Sequence, residues 1–202
     1  MSEGWSLTES DPAIFTALLS ELGVKGLQVE ELWSLDKESL DKLEPVYALI
    51  FLFKYLESHS KDPSKQAGKQ EVPPEGTWFA QQVITNACAT LAILNAVMNV
   101  PTTDVNPNIP KGVFCPPVEL GQELGQLKSF SAELDPQTRG EVLTNSEKLR
   151  TVHNSFSRPN PFHSDEPQSL TSEDAYHFIT YIPVQGKLYE LDGLKALPVS
   201  HG

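Results

Sequence analysis

The chain has 202 residues and a formal net charge of −12 at pH 7, with 39% hydrophobic and 21% charged residues. That length suits one domain, at most two, with a substantial core. The acidity argues against a nucleic-acid partner, whose phosphates demand a basic face, and permits a basic partner or substrate.

No secretory apolar segment follows Met1, and the longest apolar run, Val46 to Phe53, is too short to span a bilayer, so no membrane partner is expected. Cys88 and Cys115 are the only cysteines. One disulfide between them is arithmetically possible, but reduced thiols in the cytosol or nucleus are expected, because no secretory signal points to an oxidising compartment. The two cysteines and scattered histidines have no metal-ligand spacing, so neither metal nor cofactor is expected.

In chain order, Trp5 and Glu9 lie in an extended lead, with Trp5 expected to anchor the core. Asp11 and Pro12 suit the N-cap and first position of a helix whose apolar face is Ile14, Phe15, Leu18, Leu19 and Leu22, ending at Gly23. Leu27 to Trp33 partly alternates and is expected as a short strand. Asp36 caps a brief helix that ends before Pro45. The apolar run Val46 to Phe53 predicts a strand buried on both faces in the middle of a sheet. Residues 57 to 76 hold almost no large apolar side chain and read as a mobile surface loop.

The stretch from Phe79 to Val100 organises the chain. Gln82 stands six residues ahead of Cys88, and Cys88 opens a run with apolar residues at Leu91, Ile93, Leu94, Val97 and Met98, stopped by Pro101. That spacing predicts a buried helix. A thiol at a helix N-terminus feels the positive end of the peptide dipoles, which favours the nucleophilic thiolate. Most lone cysteines in such a helix are simply small buried apolar residues, so other groups must decide its role.

Pro101 to Gly112 is a further loop. Leu120, Leu124 and Leu127 then return at helical spacing, weakened by Gly121 and Gly125 and broken at Asp135 and Pro136. A helix is expected over residues 146 to 156, with Leu149, Val152 and Phe156 on one face and Thr144 or Asn145 as its cap. Cys115 reads as structural, and His59, His153, His163 and His201 lie in polar or terminal surroundings without an assigned role. The polar segment 157–174 is either a disordered loop or a lid, since structureless stretches of this length are uncommon in a compact domain.

Ala175 to Val184 and Lys187 to Asp192 flank Gln185-Gly186, which predicts a hairpin with a two-residue turn. A tight turn pairs Val184 with Lys187 and puts Asp192 diagonal to His177 on one face. This geometry lets a carboxylate fix one ring nitrogen and leave the other to take a thiol proton. A surface His-Asp pair without chemistry has the same pattern.

QQVITNACAT and AYHFITYIPVQGKLYELDG resemble the ubiquitin carboxyl-terminal hydrolases. WSLTESDPAIFTALLSELG, QVEELWSLD, LEPVYALIFLFKY and TVHNSFSR extend the resemblance over nearly the whole chain, and it includes the long-tailed isozyme that docks on the proteasome. It implies an α/β (α+β) papain-like cysteine protease core, a central antiparallel sheet flanked by helices. It also implies a thiol hydrolase acting after the C-terminal glycine of ubiquitin, with Cys88 as nucleophile, His177 as base, Asp192 as orienter and Gln82 as oxyanion donor. The papain signature C-G-S/A-C-W is replaced here by N-A-C-A-T, so the likeness to papain is one of fold and role. Residues 157–174 match a crossover loop at the active site, and Leu7 and Glu9 match the family's ubiquitin contacts. Ubiquitin and its conjugates are the expected partners, and cytoplasm and nucleus the expected locations. Family members continue past the equivalent of Asp192 through a helix and a final strand, and the long-tailed isozyme adds a proteasome-docking tail. The 202 residues are expected to lack these. The alternatives are a ubiquitin-binding module with impaired catalysis and a redox-sensing thiol protein. The latter leaves Gln82, His177 and Asp192 without roles.

Overall fold

A computed structural model of the chain describes residues 4–54, 68–102, 118–156 and 176–202. Cys115, His59, His163, the segment 157–174 and residues 57–67 of the expected mobile loop lie outside the described residues.

Helix α1 spans Pro12–Glu21, with the Asp11 carboxylate accepting from the Ala13 amide at 2.7 Å and Pro12 in the first turn. Gly23 ends it at φ +89, a left-handed conformation that glycine adopts without a Cβ clash. Helix α2 is Lys37–Asp41, capped by Asp36 at the Ser39 amide. Between them, residues 27–33 form no strand, contrary to the sequence expectation. Trp33 there is 86% exposed, so the alternation did not mark a face turned to the core.

Strand β1 is Leu49–Lys54 and β2 is Lys69–Gln70. A 3-10 turn, Thr85–Ala87, leads into helix α3, Cys88–Val97. Helices α4, α5 and α6 are Gly121–Ser131, Pro136–Asn145 and Glu147–Ser155. The last three strands are β3, Tyr176–Val184, β4, Lys187–Leu191, and β5, Val199–Ser200. They complete an antiparallel sheet in the order β1-β3-β4-β5-β2.

Strand β1 is thus at one end of the described sheet rather than in its middle. Phe51 is 54% exposed and stacks on Phe53. An apolar run fits an edge strand as well as a central one when its outward aromatics cover each other. Residues 69–70, expected in the mobile loop, instead pair with β5.

Helix α5 was not expected, because Asp135-Pro136 reads as a break. The same pair starts a helix here as at Asp11-Pro12: the Asp135 carboxylate accepts from the amides of Gln137 and Thr138, both at 3.0 Å. Helix α6 is capped by Ser146, which accepts from the Leu149 amide, rather than by Thr144 or Asn145.

Helix α3 is buried almost all round, as befits a helix enclosed by the other elements. It packs against β3, where the Thr180 hydroxyl donates to the Ala92 carbonyl at 2.7 Å. Leu91, Ile93, Leu94, Val97 and Met98 join Trp5, Leu18, Leu22 and Phe178 in the main core. A smaller cluster of Phe79, Ile182, Tyr189 and Leu191 packs beside it.

Candidate active site

The hairpin forms in the expected register. Val184 pairs with Lys187, and Gln185 and Gly186 turn at φ 49 and 79, the double positive φ of a turn that matches strand twist. Thr180 pairs with Leu191, so Asp192 lies one step beyond, on the face of His177. The two side chains meet: His177 Nε2 is 2.7 Å from Asp192 Oδ1, and both residues are buried.

A carboxylate only accepts, so His177 Nε2 carries a proton, which in the neutral ring makes Nδ1 the acceptor. Phe53, opposite His177 in the ladder, packs edge-on to the imidazole with ring centroids 5.8 Å apart. Burial pushes the Asp192 carboxyl up. The hydrogen bonds from His177 and the Leu194 amide, with smaller contributions from nearby positive charge of which Lys195 is the least, outweigh this and hold it below the usual carboxylate value. The pair is therefore a proton acceptor with a fixed orientation.

Gln82 reaches the same place through its backbone. Its amide donates to the Gly193 carbonyl at 2.8 Å, and the Gln81 amide donates to Pro136 at 2.8 Å. The Gln81 side chain donates to the Lys195 carbonyl at 2.8 Å. Upstream, Asn95 and Asn99 hold the strand-like lead onto α3. Asn95 accepts from the Ala80 amide and donates to its carbonyl, and Asn99 does the same for Trp78. Arg139 ties α5 to the lead by donating to the Phe79 carbonyl at 3.1 Å. These residues were missed from sequence. The available signal was a pair of amides at i, i+4, one inside an otherwise apolar helix and one just past its end, where buried polar groups must find partners.

Gly193 closes the arrangement. A Cβ there would stand 2.7 Å from Leu91 Cδ2 and 2.9 Å from Gln82 Cβ. Only glycine lets the turn after Asp192 sit between Gln82 and the first turn of α3, the turn that Cys88 opens.

Cys88 is half-buried at the head of α3. Burial raises its thiol above the ordinary value, although the Ala89 and Cys88 amides pull the other way. Dipole-driven thiolate formation, expected from sequence, is therefore outweighed by desolvation. Such a thiol needs a base at the moment of reaction.

His153, expected in polar surroundings, is fully buried. Its Nε2 donates to the Ser6 carbonyl at 2.6 Å, and its Nδ1 accepts from the Thr90 hydroxyl at 2.7 Å. Trp5 packs on its ring. With Asn154, which bonds Ser6 and Gly4, it straps the extended lead onto α6 and α3. On that lead Leu7 is 60% exposed and Glu9 half-buried. His201 bonds Glu190. Among the described residues no three His, Cys, Asp or Glu side chains cluster as metal ligands would, and no helix is long and apolar enough to cross a membrane.

The family model for ubiquitin carboxyl-terminal hydrolase, family 1, matches residues 5–202. The chain is 48% identical to ubiquitin carboxyl-terminal hydrolase ubh-4 of Caenorhabditis elegans over 195 residues, 96% of this chain and 54% of that protein. It is 42% identical to ubiquitin carboxyl-terminal hydrolase isozyme L5 of Dictyostelium discoideum, over 100% of this chain and 52% of that protein. The chain thus spans about half the length of these relatives. Its fold is similar to the Trichinella spiralis UCH37 catalytic domain bound to ubiquitin vinyl methyl ester, with a TM-score of 0.76 and 40% identity, covering 98% of this chain and 78% of that one. The expected α/β core with an antiparallel sheet and flanking helices agrees with that likeness.

Proposed function

Because the chain belongs to ubiquitin carboxyl-terminal hydrolase family 1, we propose that it is a deubiquitinating thiol hydrolase that cleaves after the C-terminal glycine of ubiquitin. The observation that carries the reading is the buried 2.7 Å contact between His177 and Asp192, on the turn that Gln82 and the first turn of α3 both touch.

In this reading His177 Nδ1 takes the Cys88 proton as sulfur attacks the carbonyl carbon of ubiquitin's terminal glycine. Because the thiol is neutral at rest, base and nucleophile act together rather than as a standing ion pair. The negative charge moves to the carbonyl oxygen, where the Gln82 side-chain amide and the Cys88 backbone N–H donate. Losing one such donor costs about 10²–10³ in kcat. The tetrahedral adduct collapses, the C–N bond breaks, and the imidazolium gives its proton to the leaving amine. Water, deprotonated by His177, attacks the thioester, and Cys88 is released as the thiol. Asp192 stays ionised throughout and supports the imidazolium.

The exposed Leu7 and the half-buried Glu9 are the proposed ubiquitin contacts of the strapped lead. The segment 157–174 remains the candidate crossover loop.

The test is turnover of ubiquitin carrying a C-terminal fluorogenic amide. Cys88→Ala is expected to abolish it, and retained turnover would sink the assignment. A second reading, a ubiquitin-binding module with impaired catalysis, is favoured by one observation, the burial that raises the Cys88 thiol. Tight binding of ubiquitin with no turnover by the unaltered chain would select it.

A further inference from the structure

Alternation along β4 puts Glu190 and Asp192 on one face of the sheet. Both are buried, at 7% and 8% exposure. One ammonium, that of Lys195, lies beside both.

The turn after Asp192 brings that ammonium there. The Leu194 amide donates to Asp192 Oδ1 at 3.0 Å, and the Lys195 amide donates to the Asp192 carbonyl at 2.9 Å. This folds Lys195 back over the strand. Its Nζ lies 2.5 Å from Glu190 Oε1 and 3.9 Å from Asp192 Oδ2, with its side chain only 19% exposed. The Lys195 carbonyl accepts from Gln81, so the ammonium is anchored beside the Gln82 segment. Among the described residues, other polar groups on this face also have partners. His177 bonds Asp192, while the Tyr181 hydroxyl donates to Glu190 at 3.2 Å and His201 lies 3.0 Å from it. Lys195 is the cation shared by both carboxylates.

We propose that Lys195 is a positioning residue for the His177–Asp192 pair: its ammonium, divided between Glu190 and Asp192, offsets part of the carboxylate charge that Asp192 presents to His177 and thereby sets the lower pH limit at which the pair works as a base. Glu190 is the counterweight, drawing part of that positive charge away. The proposal rests on the reading of His177 as the base of a ubiquitin hydrolase.

The experiment follows kcat/KM for the fluorogenic ubiquitin amide across about pH 5 to 8, the range in which histidine-based catalysis changes. It compares the unaltered chain with Lys195→Met, Lys195→Arg and Glu190→Gln. In parallel, NMR of the His177 ring reads the protonation midpoint of the pair, which needs no catalysis. Lys195→Met is expected to move both the acid limb and the midpoint up by about one pH unit, a roughly tenfold loss on the acid side that shrinks toward neutral pH. Lys195→Arg keeps the charge and the original limb. Glu190→Gln moves both down, because the whole ammonium charge then serves Asp192. A uniform loss at every pH with an unmoved midpoint would mean that Lys195 only packs, and would overturn the proposal. If Lys195→Met does not fold, Glu190→Gln decides alone, and an unmoved midpoint there is equally fatal. Midpoints that move in a chain without turnover uphold the charge coupling and refute the hydrolase reading; turnover with unmoved midpoints does the reverse.

Discussion

Gln82 and Gly193 are joined by a backbone hydrogen bond of 2.8 Å, from the amide of the first to the carbonyl of the second. This bond carries the proposed oxyanion donor to the turn after Asp192, and the absence of a Cβ at Gly193 makes it possible. Gly193→Ala must push Leu91 or Gln82 away by several tenths of an ångström. It is expected to lower kcat on a ubiquitin substrate at least tenfold, since displacement of about 1 Å at a reacting group costs up to 10²-fold. Circular dichroism should show the fold retained. An Ala variant with unchanged kcat would separate the turn from the chemistry.

Asn95 satisfies both backbone groups of Ala80 inside the core. Asn95→Leu preserves bulk but strands a buried amide and carbonyl. Each unsatisfied group costs about 1–3 kcal/mol, so a loss of about 2–6 kcal/mol is expected in urea unfolding. A loss below about 1 kcal/mol would mean that the lead finds other partners.

His153 is buried with its ordinary basicity lowered, chiefly by desolvation and against the hydrogen bond to Ser6. The sign follows from linkage: a folded-state value below the unfolded one stabilises the fold above the unfolded value and loses that contribution as pH falls. The unfolded value is about 6.5. Stability of the unaltered chain is therefore expected to drop between neutral pH and about pH 5, and His153→Gln, which cannot be protonated, should flatten the slope. Equal slopes in the two proteins would assign the acid sensitivity elsewhere.

Cys88 follows the opposite sign. Its thiol is raised by burial, so the neutral form is the one the fold favours. Alkylation by iodoacetamide near neutral pH should be slower than for an exposed peptide thiol, and should climb only as pH rises beyond the ordinary thiol value of about 8.5. Peptide mass spectrometry at Cys88 measures this. A fast, pH-independent reaction would indicate a standing thiolate.

Much of this arrangement was legible in the sequence where one local rule fixes the geometry. Gln185-Gly186 fixes a two-residue turn, and the turn fixes which face His177 and Asp192 share. Asp11-Pro12 fixes the start of α1. The same Asp-Pro signature at 135–136 was legible too, but its position after a helix made it read as an ending. Strand β1 was recognised but misplaced, because an apolar run reports burial potential and not which neighbours supply the burial. His153, Asn95, Asn99 and Lys195 were not legible. Each owes its role to a partner more than one element away or to a turn that folds back, and no periodicity encodes that. The balance at Cys88 was misjudged for a related reason: a helix N-terminus can be read from sequence, whereas desolvation depends on what packs over it.

The central claim is that Cys88 is a nucleophile served by His177 on a bound ubiquitin C-terminus. The most direct measurement exposes the chain to ubiquitin bearing a thiol-reactive C-terminal group and maps the adduct by mass spectrometry. The account predicts one covalent ubiquitin per chain at Cys88, absent in Cys88→Ala and slowed at least 10²-fold in His177→Ala, the lower end of what a general base contributes. Labelling at another residue, or labelling at Cys88 that proceeds at the same rate without His177, would contradict it.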